Sequence, residues 1–390
     1  MHQNVVEMDI LHRTALLKGL FSYEKKVLVE DKKLAIIPCR FNEILRENEI
    51  ADCQKLFSPT GFCSLTDDNI RENKDFTYLV FTPRWKSKSK EVILLMHGLN
   101  ERTWEKYLVW AEYLTEQTGK PVVLFPIAFH MNRTPDSWFN PRAILPWVSQ
   151  RKEKTKEAVN STFFNVALSS RISENPLRFY ASGRESIFNL LQLVKEIKSG
   201  AHPLFAEGSS VNIFAYSIGA MLSQVFMLAN PDHLTDDTKL FMFCGGSIFC
   251  DMNGNARDIM DAKANEQMQS YYLNEFSKDS SSHRVIPEIY ENDDFEKAFQ
   301  SMIQPELHRD FRENYFMKLK KQIQAVSLKK DIVVPTMGII RALGKSSGDI
   351  LQEIDFPFPY THQIPFPTKT DPEQLSGSFL NIFNRAASFL

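Results

Sequence analysis

The chain of 390 residues is long enough for one large domain with insertions or for two domains, and its 43% hydrophobic content suits a globular protein rather than a disordered one. A formal net charge of −2, with no acidic or basic tail, argues against nucleic acid as the main partner. No uncharged apolar run is long enough to span a bilayer, so no membrane span is expected. Cys39, Cys53, Cys63, Cys244 and Cys250 are odd in number and irregular in spacing, as in a reducing compartment, and Met1-His2-Gln3-Asn4 does not open a basic region followed by an apolar run. The expected location is therefore cytoplasmic.

Residues 1–75 carry few signals. Residues 26–37 read as two short strands around a polar turn, a hairpin, and residues 41–56 as a short helix. From Phe76 the pattern becomes regular. A strand over 76–81 is followed by the basic stretch 84–90, read as a solvated hairpin turn. Residues 92–96, Val-Ile-Leu-Leu-Met, form a continuous apolar run, as expected of a strand buried on both faces. Trp104, Leu108, Ala111 and Leu114 then share one helical face, Gly119 stands past the helix end, and residues 121–125 read as the next strand. Strand, helix and strand with short joints make a βαβ unit and imply a parallel sheet.

Residues 128–180 are irregular and rich in aromatics, a pattern read as a lid or rim. Ser182 and Glu185 have capping-box spacing and predict a helix start, with Ile187, Leu190, Leu191, Val194 and Ile197 on the buried face behind them. Residues 239–243 form a further strand. Residues 251–320 break the alternation and read as helices carrying many aromatics, among them Tyr272 and Phe299. The sheet resumes over 323–328, and a helix over 375–390 packs on it.

One stretch organises the rest: Val211, Ile213 and Phe214 build a buried strand, and Met221, Leu222, Val225, Phe226 and Leu228 recur at helical spacing after it. Ser217 sits at the corner between them, with the small residues Ala215 and Gly219 two positions to either side. Asn230 and Pro231 close the helix. This corner resembles the nucleophile elbow of the α/β-hydrolase superfamily, G-x-S-x-G, with Ala in place of the first Gly. Three other stretches are similar to what that family supplies, in its order. His97-Gly98-Leu99-Asn100, after the apolar strand, resembles the HG-x motif, which implies an oxyanion hole from the N–H groups of Leu99 and Ile218. Asp331, after the strand at 323–328 and before an apolar pair and Pro335, resembles the acid; Asp251 is its main rival, with Asp349 and Asp355 behind. His362, in an aromatic loop near the C-terminus, resembles the base, with His130 a distant second.

The resemblance implies a mostly parallel twisted sheet flanked by helices, the α/β-hydrolase fold. Its core would be residues 76–250 and 321–390, with 251–320 as a helical cap and 1–75 as an N-terminal extension packed on the core. It implies a serine hydrolase acting on an ester, thioester or amide through an acyl-enzyme, with Ser217 as nucleophile, His362 as proton shuttle and Asp331 orienting it. His97, Gly98, Asn100, Tyr216 and His130 are the candidates for contact with an apolar or aromatic acyl substrate. No cofactor is implied, and no His/Cys spacing suggests a metal; residues 251–262 lack the acidic twelfth position of a calcium loop. A non-catalytic binding protein on the same fold and an acyltransferase with the same triad are the alternatives.

Overall fold

The computed structural model describes residues 9–43, 67–84, 87–281 and 294–390. Its nine strands are β1 (Val27–Val29), β2 (Leu34–Asn42), β3 (Asp75–Pro83), β4 (Ser89–Met96), β5 (Val122–Leu124), β6 (Phe205–Tyr216), β7 (Leu240–Phe243), β8 (Ile323–Leu328) and β9 (Leu351–Ile354). They form one sheet in the order β1-β2-β3-β5-β4-β6-β7-β8-β9. The helices are α1 (Ile10–Leu20), α2 (Glu105–Thr118), α3 (Pro141–Lys154), α4 (Val166–Glu174), α5 (Leu177–Lys198), α6 (Ile218–Ala229), α7 (Ala262–Asn274), α8 (Phe276–Ser281), α9 (Asp294–Ser301), α10 (Arg309–Lys318), α11 (Thr336–Leu343) and α12 (Pro372–Phe389), with single helical turns at Arg71–Lys74 and Ser347–Ile350.

Every pair from β5 through β4 and β6 to β9 is parallel, and β1, β2 and β3 are antiparallel to their neighbours. The sheet is therefore mostly parallel and flanked by helices, as expected. The unit β4–α2–β5 closes with Ile93 opposite Val122. The hairpin expected over 26–37 is β1 against β2, with Lys33 in the left-handed region at the turn. Of the helix expected over 41–56, Phe41 and Asn42 end β2, Glu43 follows in no regular element, and residues 44–56 lie outside the described residues.

Two local expectations need correcting. The basic stretch after β3 is not a hairpin turn, because β5 lies between β3 and β4 in the sheet. The helix expected to start at Ser182 starts five residues earlier: the Asn175 side chain accepts the Leu177 N–H, and the Ser182 hydroxyl donates to the Ala128 carbonyl instead of capping. Residues 128–180 are also less irregular than their sequence. Asn140 caps α3 and Pro141 occupies its first turn. Only Ile144 of α3 is buried, so no apolar stripe announces the helix.

The uniform apolar run of β4 serves two cores. Val92, Leu94 and Met96 face the layer that holds α5 and α6, and Ile93 and Leu95 face the layer that holds α1, α2 and α12. β6 alternates in the same way, and α6 is buried on nearly every side. Among the described residues no helix is long and apolar enough to cross a membrane.

Candidate active site

β6 ends at Tyr216, the chain turns through Ser217 at φ 56° and ψ −125°, and α6 starts at Ile218. A positive φ strains a residue that carries a Cβ, so the surroundings must hold it. The Ser217 N–H donates to the Phe243 carbonyl at 3.3 Å, and the Ala220 N–H donates to the Ser217 carbonyl at 2.9 Å. A Cβ on Gly219 would stand 2.7 Å from the carbonyl oxygens of both Met96 and His97. The need for a small residue at 219 thus comes from the end of β4. Gly245, which the sequence did not single out, presses from the other side: a Cβ there would lie 2.7 Å from the Ser217 carbonyl oxygen and 2.6 Å from the Ala220 Cβ.

Loops from two other strands meet this corner. His362, beyond β9, places Nε2 2.6 Å from Ser217 Oγ and Nδ1 2.7 Å from Asp331 Oδ2. Asp331 follows β8, and its Oδ1 accepts the N–H groups of Val333 and Val334 at 2.9 Å each. A carboxylate can only accept, so Nδ1 carries the proton and the Nε2 lone pair faces the serine hydroxyl. Exposure of the three residues is 5% or less, so bulk water does not compete for these bonds. Asp251 is elsewhere engaged: its carboxylate receives Arg341 of α11 at 2.8 Å.

The His362 loop is itself pinned. The Tyr216 hydroxyl donates to the His362 carbonyl, and the two rings stack with centroids 5.6 Å apart. Lys106 of α2 donates to the Gln363 carbonyl at 3.1 Å and lies over the Tyr216 ring. Tyr216 was expected to touch substrate; its buried hydroxyl is occupied with the base's loop. Nothing in the sequence marked Lys106, because its partner is remote along the chain.

The segment after β4 approaches Ser217 closely, with an ideal Cβ on Gly98 only 3.4 Å from the Ser217 Cβ. Both nitrogens of buried His97 are used: Nδ1–H donates to the Gly98 carbonyl at 2.8 Å and Nε2 accepts the Ile127 N–H at 2.9 Å. Burial holds its pKa well below the usual histidine value, so His97 is a neutral brace. The Gly98 N–H donates to the Tyr107 hydroxyl at 3.0 Å. The N–H groups of Leu99 and Ile218 have no hydrogen-bond acceptor among the described residues. Asn100 has a φ of 60° and donates its amide hydrogens to the carbonyls of Phe164 and Asp258 at 2.8 and 2.9 Å, tying two loops together.

Residues 8–390 match the family of unknown function DUF6051. The chain belongs to that family. No curated protein matches this DUF6051 chain. Solved structures similar to it include carboxyl esterase 2 from the fungus Tuber melanosporum, at 12% identity and a TM-score of 0.43, covering 97% of this chain and 96% of that one. An esterase of Pyrobaculum calidifontis matches at 11% identity and 0.42, covering 99% and 94%. A thermostable esterase from Pseudomonas putida matches at 8% and 0.40, covering 100% and 90%. At such identities the likeness concerns the course of the chain and not its chemistry.

Two small cavities in the DUF6051 chain adjoin the corner. One, of about 60 Å³, is lined by Ile218, Met221 and Val225 of α6, Ile187 of α5, and Phe295 and Phe299 of α9. The other, of about 50 Å³, lies between Asn100, Phe129, Trp138 and Arg171. Leu99, His130, Phe179 and Ser182 line both. Tyr272, one of the aromatics read on residues 251–320, is buried and does not line either cavity: its hydroxyl donates to the Pro176 carbonyl at 2.8 Å and accepts the Tyr180 N–H at 3.0 Å. Among the described residues no group of three or more His, Cys, Asp or Glu side chains could hold a metal ion.

Proposed function

We propose that this DUF6051 protein is a serine hydrolase that cleaves an ester, thioester or amide through an acyl-enzyme. The observation that carries the reading is the unbroken relay at the strained corner, Ser217 Oγ to His362 Nε2 at 2.6 Å and His362 Nδ1 to Asp331 Oδ2 at 2.7 Å. A serine hydroxyl is a poor nucleophile at neutral pH, and a base already at hydrogen-bond distance removes its proton as it attacks. Ser217 Oγ would form a bond to the acyl carbon while Nε2 takes the proton. The acyl–heteroatom bond then breaks, and the leaving group departs with that proton. Water repeats the sequence, giving its proton to His362 and its hydroxyl to the acyl carbon; the bond to Ser217 Oγ then breaks and Oγ takes the proton back from His362. Asp331, held by two backbone N–H groups, keeps the imidazole in the required tautomer and stabilises its charged form. The free N–H groups of Leu99 and Ile218, beside the positive end of α6, are suited to the oxyanion.

The apolar cavity along α6 supports a small apolar or aromatic acyl group. In this reading residues 251–320 act as a cap, because Phe295 and Phe299 close that cavity. The cysteine usage supports a cytoplasmic setting. The test is labelling with a fluorophosphonate. Wild-type protein should react at Ser217 and the His362→Ala variant should not; an unreactive wild type sinks the reading in favour of a binding protein. Product analysis with added alcohol tells hydrolysis from acyl transfer.

A further inference from the structure

Among the described residues, the wall shared by the two cavities carries one side-chain polar atom that makes no hydrogen bond, on His130. Its Nδ1–H donates to the Ala128 carbonyl at 2.8 Å, which fixes the tautomer and leaves Nε2 as an acceptor. No donor among the described residues reaches Nε2, although the residue is only 6% exposed. Nε2 keeps some accessible surface, and His130 lines both cavities. Ser182, the other polar side chain on the shared wall, already donates to the Ala128 carbonyl.

The ring is held in place before any ligand arrives. The Ala128 N–H donates to Ser186 Oγ and the Phe129 N–H to Asn73 Oδ1, both at 2.9 Å. The Arg133 N–H donates to the His130 carbonyl at 2.8 Å. Burial, and after it the cations Arg133 and Arg171, push the histidine pKa down to about 4, so the ring is neutral near pH 7. A fixed, neutral, buried acceptor selects a donor on the ligand and rejects an anion, because a site built to accept a hydrogen bond loses it with an analogue that lacks the donor. Leu99, whose N–H has no acceptor among the described residues, lines the same wall, so an acyl group held there lies beside the cavity along α6. That cavity of about 60 Å³ holds roughly four to six water-sized groups.

We propose that His130 is a specificity residue whose Nε2 accepts a hydrogen bond from a hydroxyl on the acyl part of the substrate, so that a short hydroxyacyl ester is bound in preference to its unsubstituted analogue. The substrate class rests on the hydrolase reading above. The test is built on binding, so that the two can fail separately.

In the Ser217→Ala protein, the affinities of ethyl butyrate, ethyl 2-hydroxybutyrate and ethyl 3-hydroxybutyrate are compared by calorimetry. One hydroxy ester should bind about tenfold tighter than the butyrate. Adding His130→Leu should remove that advantage and leave the butyrate affinity within about threefold, while His130→Gln, which keeps an acceptor, should retain part of it. Nitrogen NMR of His130 in the Ser217→Ala protein should show Nε2 shifting on saturation with the hydroxy ester, a readout that needs no substitution at His130. Equal binding of all three esters, equal weakening by His130→Leu, or an unmoved Nε2 signal each overturns the proposal. Fluorophosphonate labelling of the wild type reports separately on the hydrolase reading: labelling without a hydroxyl preference sinks only the role of His130.

Discussion

Each member of the relay at Ser217 has a separate job, so its removal should have a separate size. Ser217→Ala removes the attacking atom and should lower turnover by about a million-fold, with the melting temperature little changed because the hydroxyl supports no core contact other than His362. Asp331→Asn should cost about 10⁴ in turnover by favouring the wrong imidazole tautomer. Asp251→Asn should change turnover by no more than a few-fold and slightly lower stability through the Arg341 pair. Steady-state assays of the three variants on one activated ester check this ranking, and a damaging Asp251 variant would reassign the acid. Tyr216→Phe removes the bond to the His362 carbonyl and keeps the ring stack. Turnover should fall by about tenfold, with KM unchanged, since the hydroxyl positions the base and does not meet substrate.

The corner itself is a property of elements pressed together. Gly219 lets the first turn of α6 approach the end of β4, and Gly245 lets the chain after β7 pass beneath the serine. Gly219→Ala should push α6 off its seat, costing about 1–3 kcal/mol and most of the activity. Denaturation curves and labelling with the fluorophosphonate probe measure the two effects; an unchanged variant would mean that α6 can shift without disturbing Ser217. α9 meets α6 across the larger cavity, so Phe299→Leu should change the preference between short and longer acyl chains by about tenfold. The rate on a small activated ester should stay close to wild type. Tyr272→Phe, outside the cavity wall, should leave chain preference alone and cost about 1–3 kcal/mol in stability for the lost bonds to Pro176 and Tyr180.

At the scale of the whole molecule, buried histidines tie stability to pH. Burial depresses the pKa of His130 and of His202 from 6.5 to about 4, and holds that of His97 well below 6.5. Between pH 6.5 and 4 these rings bind protons in the unfolded chain but not in the folded one, so stability is full above 6.5 and is lost as pH falls through the window. The melting temperature should drop steeply from pH 6.5 to 4.5, and His202→Gln should flatten part of that slope. An equally steep curve for the variant would place the acid sensitivity elsewhere. Much of this architecture was legible in the sequence. The apolar run of β4, the Gly119 stop and the βαβ spacing dictate a parallel sheet, because burial on both faces leaves no polar alternation. The strand-to-helix corner at Ser217 was legible for the same kind of local reason, since apolar period and chain direction change within three residues. Other features needed the tertiary structure. α3 buries too little to leave a stripe, and the start of α5 is set by Asn175 rather than by the better-looking Ser182. Lys106, Tyr216 and Gly245 act on the corner through partners far away along the chain. The sequence determined which elements exist and in what order they come, because periodicity and capping are local. Only packing decided that loops after β6, β8 and β9 meet within hydrogen-bond distance, because the adjacency of β6, β7, β8 and β9 is a property of the sheet and not of any segment.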